Sequence, residues 1–134
     1  MIAMPRPPLE SHLMMMGCGA SGGGVAVPMP LDGYATPFAA WSLYRRLLTS
    51  YSGPLIRLRR SSGGESDFGV NPATNLLDTA AVSSWGGAAT LYLVTEYDQS
   101  GNGRDRTQAT AGTQPTFTLT GGPASGIPRI DGAD

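Results

Sequence analysis

Thr90 to Asp105 read TLYLVTEYDQSGNGRD, a strand and a turn on which the rest of the chain can be placed. Leu91, Leu93 and Thr95 alternate with Tyr92, Val94 and Glu96, the period of a β-strand. Both faces are largely apolar, so the strand belongs in the middle of a sheet. A turn comes directly after it. Asp98 and Asn102 are suited to bonding their own backbone, and Gly103 tolerates a positive φ. Asp98, Ser100 and Asn102 also alternate oxygen donors, as a calcium loop would. Such a loop needs a carboxylate at its twelfth position, where this chain has Ala109. The reading is therefore a structural turn built on Asp98, Asn102 and Gly103.

Upstream, Leu55 to Arg60 form a second strand, with Ile56 and Leu58 on one face and Arg57 and Arg59 on the other. SSGGESD is a loop, and Phe68 to Val70 are a short strand. Thr36-Pro37 looks like a helix start, and Trp41, Tyr44, Leu48 and Tyr51 recur at helical spacing until Gly53-Pro54. A weaker helix capped by Asp78 runs through Val82 to Trp85 and ends at Gly86-Gly87. Thr116 to Thr120 make another strand, and Ile127 to Asp134 enter one more.

Residues 1–35 read differently. Pro5, Pro7, Pro8, Pro28 and Pro30 favour extended backbone, and Gly17, Gly19 and Gly22 to Gly24 loosen it. Met14, Met15 and Met16 interrupt this with unbranched, polarizable side chains suited to an irregular groove on a partner. The expected organisation is an extended docking arm over 1–35 and a partial β-sandwich module with an opening helix over 36–134. A chain of 134 residues with a net charge of −1 allows one domain and has no general pull towards nucleic acid or anionic membrane. No apolar run approaches the ~20 residues that span a bilayer. LMMMGC, ending at Cys18, brushes a lipoprotein cleavage box, but its apolar core is short and interrupted. One cysteine excludes a disulfide framework or a Cys-based zinc site. All nine basic residues are arginine.

Two segments in the same order, Leu43 to Ser62 (LYRRLLTSYSGPLIRLRRSS) and Glu96 to Thr110 (EYDQSGNGRDRTQAT), resemble the catalytic-domain family of fungal-type α-L-arabinofuranosidase B. That family is a concanavalin-like β-sandwich, also found as a module in bacteriophage virion proteins. The resemblance runs over residues 39–134. It implies a mainly β fold: the leading portion of a concanavalin-like β-sandwich with one N-terminal helix and an extended Gly/Pro/Met-rich arm. It also implies that the family's catalytic carboxylates belong to strands beyond Asp134.

Glycoside hydrolysis needs two facing acids. Glu65 and Asp67 share a loop here, and Glu96, Asp98 and Asp105 cluster at the turn, which the resemblance makes structural. No catalytic pair is expected within residues 1–134. His12 has no triad partners, Cys18 has no activating neighbour, and GASGGG lacks the lysine of a phosphate loop. No cofactor and no metal is expected. Arg57, Arg59 and Arg60, the densest charge cluster, read as a solvated face or as subunit contacts in a homo-oligomer.

The expected function is a bacteriophage or phage-like virion structural protein, such as a tail or neck fibre or head spike, located in the virion. Its arm would dock on other virion proteins, and residues beyond 134 would bind a host-surface glycan. The alternative is the N-terminal part of a secreted arabinofuranosidase-like glycoside hydrolase.

Overall fold

A computed structural model describes residues 27–120 and 127–132. The architecture is one antiparallel sheet under a layer of loops and a single short α-helix. The strands are β1 (Ile56–Arg60), β2 (Glu65–Phe68), β3 (Leu91–Glu96), β4 (Arg106–Thr107), β5 (Thr116–Thr118) and β6 (Arg129–Asp131). Their order is β2-β1-β3-β5-β6, with β4 also paired to β3. The fold class expected from sequence, mainly β, is the one observed, and β3 lies centrally.

Alternation explains the sheet's two faces. Ile56 and Leu58 of β1, Leu91 and Leu93 of β3, Phe68 of β2 and Phe117 of β5 form one cluster with Leu55, Leu77 and Val82. On the opposite face β1 places Arg57 beside Asp67 and Thr95, and Arg59 beside Glu65 and Tyr92. Between Arg57 and Leu58 the register shifts. Arg57 pairs with Thr95 and Leu58 with Leu93, so Val94 is an extra residue on β3. Its carbonyl accepts from Gln108 N at 2.8 Å, directly after β4.

The helix, α1, spans Thr79–Gly86, and the Asp78 carboxylate caps it by accepting from Ala81 N. It buries Val82 and Gly86, and Trp85 meets Phe68 edge-to-face at 5.3 Å.

Two expectations fail. First, Thr36 to Tyr51 form no helix. Apart from Tyr51 N–H reaching Leu48 O, the bonded backbone groups from Arg46 to Thr49 turn to partners outside the segment. Arg46 N donates to Asn75 O, Leu47 N to Gln99 Oε1 and Thr49 N to Asp32 Oδ1. Tyr44 O accepts from Leu77 N and Arg45 O from Gln99 Nε2. The apolar spacing of Trp41, Tyr44 and Tyr51 serves an irregular loop wrapped over the sheet. Second, the strand placed at Phe68 to Val70 starts earlier, at Glu65. Gly63 and Gly64, at φ 95° and 87°, tighten the turn enough for Glu65 to Phe68 to pair back along β1.

Candidate functional site

The Asp98 turn is the densest polar construction among the described residues. Asp98 is 4% exposed and its carboxylate is saturated. Oδ1 accepts from Ala40 N at 2.8 Å and Ser100 N at 2.9 Å. Oδ2 accepts from the Ser100 hydroxyl at 2.7 Å and Arg104 N at 3.0 Å. Burial pushes this carboxyl up, but those donors outweigh it and hold the pKa down at about 2. Asn102 Nδ2 donates to Pro37 O and Phe38 O, and Gly101 and Gly103 carry positive φ. Trp41 Nε1 donates to Arg104 O at 2.8 Å, while Arg104 and Arg106 stack over Phe38 and Trp41 at 3.6 and 3.7 Å. The turn thus clamps the 37–41 loop to the end of β3.

Gln99 completes the clamp, and sequence reasoning passed over it. It is 1% exposed. Its side chain accepts from Leu47 N and donates to Arg45 O, and its backbone N–H donates to Ala40 O. Gln114, 3% exposed, plays a similar part, accepting from Arg59 Nε and donating to Gln108 O. The one sequence signal for either is a glutamine beside an apolar strand, which does not separate buried from exposed.

The arginine cluster is engaged inside the chain. Arg57 Nε and Nη2 each reach an Asp67 carboxylate oxygen at 2.7 Å. Arg59 lies 4.4 Å over the Tyr92 ring, and Arg60 lies 4.5 Å over Trp85 while donating to Trp85 O. Met14, Met15 and Met16, with His12 and Cys18, lie outside the described residues.

Four of the five candidate acids are tied up in structural roles. Asp67 also accepts from the Tyr97 hydroxyl, and its pKa is lowered chiefly by the Arg57 hydrogen bond. Glu96 meets Arg106 at 3.6 Å, and Asp105 accepts from Asp98 N. Glu65 is exposed on β2. A glycosidase acid must hold its proton near neutral pH, so its pKa is raised. The carboxyls that shift here, on Asp32, Asp67 and Asp98, all shift down. No group of three or more His, Cys, Asp or Glu among the described residues could hold a metal ion. Among them no helix is long and apolar enough to cross a membrane.

Residues 30–127 match the family described as alpha-L-arabinofuranosidase B, catalytic. The chain belongs to this family. It is 39% identical over 95 residues to a probable alpha-L-arabinofuranosidase B of Aspergillus fumigatus, covering 67% of this chain and 19% of that protein. With the alpha-L-arabinofuranosidase of Hypocrea jecorina it shares 37% identity over 108 residues, 77% of this chain and 21% of the other. An arabinofuranosidase structure complexed with arabinofuranosyl-alpha-1,2-xylobiose superposes with a TM-score of 0.53 at 28% identity, over 69% of this chain and 22% of that one. A GH54 arabinofuranosidase soaked with a cyclic sulfate inhibitor gives 0.52 at 30%, over 60% and 20%. The chain therefore spans about a fifth of the length of the curated relatives it matches.

These relatives overturn the virion reading. They are arabinofuranosidases of fungi, and none of them carries a fibre or spike name. The expected virion location, the docking of the arm on other virion proteins and the host-glycan adhesion role fall with it. The composition of residues 1–35 does not choose between the two readings.

Proposed function

We propose that this arabinofuranosidase B-family chain is the sheet-forming portion of a glycoside hydrolase module that removes α-L-arabinofuranosyl units from arabinose-bearing polysaccharide. The observation that carries the reading is the family match over residues 30–127, with relatives at 37–39% identity named for that activity. Within the module the chain supplies scaffold. The Asp98 and Gln99 clamp fixes the loop layer, and the acid pair comes from residues other than those described. Hydrolysis needs carboxyls ~5–10 Å apart with one kept protonated, and the lowered acids here act as hydrogen-bond acceptors instead.

The test compares the 134-residue chain with the intact polypeptide isolated from its natural source, both incubated with 4-nitrophenyl α-L-arabinofuranoside. Hydrolysis by the intact polypeptide, with none by a folded preparation lacking the acid pair, is the expected result. An inactive intact polypeptide defeats the hydrolase reading. Full activity that disappears on replacing Glu96 or Asp105 defeats the assignment of this stretch as scaffold.

A further inference from the structure

A cavity of about 370 Å³ opens between the loop before β1 and the connection after β2. Arg46, Tyr51, Ser52, Val70, Pro72 and Asn75 are among its walls. The walls are tied together before any ligand arrives. Arg46 N donates to Asn75 O at 2.9 Å, and the Tyr51 hydroxyl donates to Pro54 O at 2.5 Å. The Tyr51 ring lies so close to Gly53 that a Cβ there would sit 2.7 Å from its oxygen. Asn75 holds a left-handed φ of 57°, which asparagine tolerates better than most residues.

The guanidinium of Arg46 is the unfinished part of this construction. It is half-buried, and among the described residues no carboxylate lies within 4.0 Å of its nitrogens. Its one side-chain hydrogen bond among them, Nη1 to Tyr51 O, is long at 3.4 Å. Nε is buried with no partner. Asp32 is near enough to feel the charge, yet its oxygens are taken by Met29 N, Thr49 N and the Thr49 hydroxyl. A buried N–H without an acceptor is costly, and the Nε and Nη2 edge of arginine matches a carboxylate. Turning the side chain towards the cavity it lines would bring that edge to a bound anion and end the burial of an unpaired donor.

The geometry points to a binding site for a carboxylate-bearing sugar, a uronic acid unit, with its carboxylate on Arg46. Its hydroxyls bond Ser52 and Asn75, and its C–H face lies on Val70 and Pro72. The volume is at the small end of ligand sites, which suits one monosaccharide. The choice of a sugar acid over other carboxylates rests on the glycoside hydrolase reading.

The experiment titrates the ¹⁵N-labelled chain with D-glucuronate, D-glucose and acetate, following backbone amides and the arginine Nε–H signals. Glucuronate is expected to move Arg46 Nε–H and the Ser52, Val70 and Asn75 amides. Glucose and acetate should act about tenfold more weakly or worse. Arg46→Gln abolishes the response, and Arg46→Lys, which keeps the charge but loses the fork, leaves a weak remnant. No movement at millimolar glucuronate, an equal response to acetate, or shifts that persist in folded Arg46→Gln overturns the site. Hydrolysis of the neutral aryl arabinofuranoside by the intact polypeptide is read separately. Glucuronate binding without hydrolysis sinks only the hydrolase reading, and hydrolysis without binding sinks only this site.

Discussion

Asp98 shows how one carboxylate organises a loop layer that has no helix of its own. Its two oxygens accept three backbone N–H groups and one hydroxyl, so it stays ionised despite near-complete burial. Because the folded pKa of about 2 lies below the ordinary 3.8, its contribution is present above about pH 4 and is lost as pH falls towards 2. Asp98→Asn is expected to cost on the order of 1–2 kcal/mol at neutral pH, since the amide cannot accept from every donor. It should also flatten the acid limb of stability, and urea melts at pH 7 and pH 3 check both effects. Tyr97 titrates in the opposite sense. Burial first, and then its hydrogen bond to Asp67, push the phenol up to about 12. A raised pKa stabilises the fold below pH 10, and that stability is lost as pH rises through 12. Tyrosinate absorbance should therefore show Tyr97 titrating late, alongside the Tyr51 phenol that burial also raises, and Asp67→Asn should bring Tyr97 back towards the ordinary range.

Elements whose geometry is satisfied locally were legible in the sequence. The alternation in β1 and β3 survives folding because each strand buries one row of Ile or Leu, and Asp78 announces α1 because a cap acts within one turn. The loop from Thr36 to Tyr51 was misread for the converse reason. Its helical spacing is real, but Asn75, Gln99 and Asp32, all remote in sequence, compete for its backbone groups and win. A buried amide that both accepts and donates replaces the ladder a helix would have made. Gln99→Ala tests this account. It leaves Leu47 N–H and Arg45 C=O without that partner, at about 1 kcal/mol for each part-buried hydrogen bond. Amide exchange at Arg45 to Thr49 should accelerate well before that of β1 and β3. Uniform acceleration across the sheet would mean that Gln99 supports the whole core and not the loop layer.

At the scale of the molecule the sheet and the loop layer are held by different chemistry. The sheet relies on apolar burial around Leu55, Ile56, Leu58 and Val82, which pH does not touch. The loop layer relies on the Asp98 turn, on Gln99, and on Trp41 pinned to Arg104 O beneath the Arg106 guanidinium. The turn was legible beforehand but its joints to the loop layer were not, because each links residues more than fifty positions apart. The division has a consequence in acid. Protonating Asp98 removes the acceptor for Ala40 and Arg104 N–H, whereas in the sheet acid weakens exposed pairs such as Arg57–Asp67 and leaves the apolar cluster in place. The two tryptophans allow the layers to be watched apart, since replacing Trp85 by Phe leaves Trp41 alone to report on the clamp. In Trp85→Phe, lowering the pH from about 4 to about 2 should expose Trp41 to acrylamide quenching while the far-ultraviolet signal of the sheet persists. Adding Asp98→Asn should expose Trp41 already at pH 7 and abolish its acid transition. If quenching and sheet signal instead change together in one transition, loop layer and sheet form a single cooperative unit, and the Asp98 clamp is part of the core.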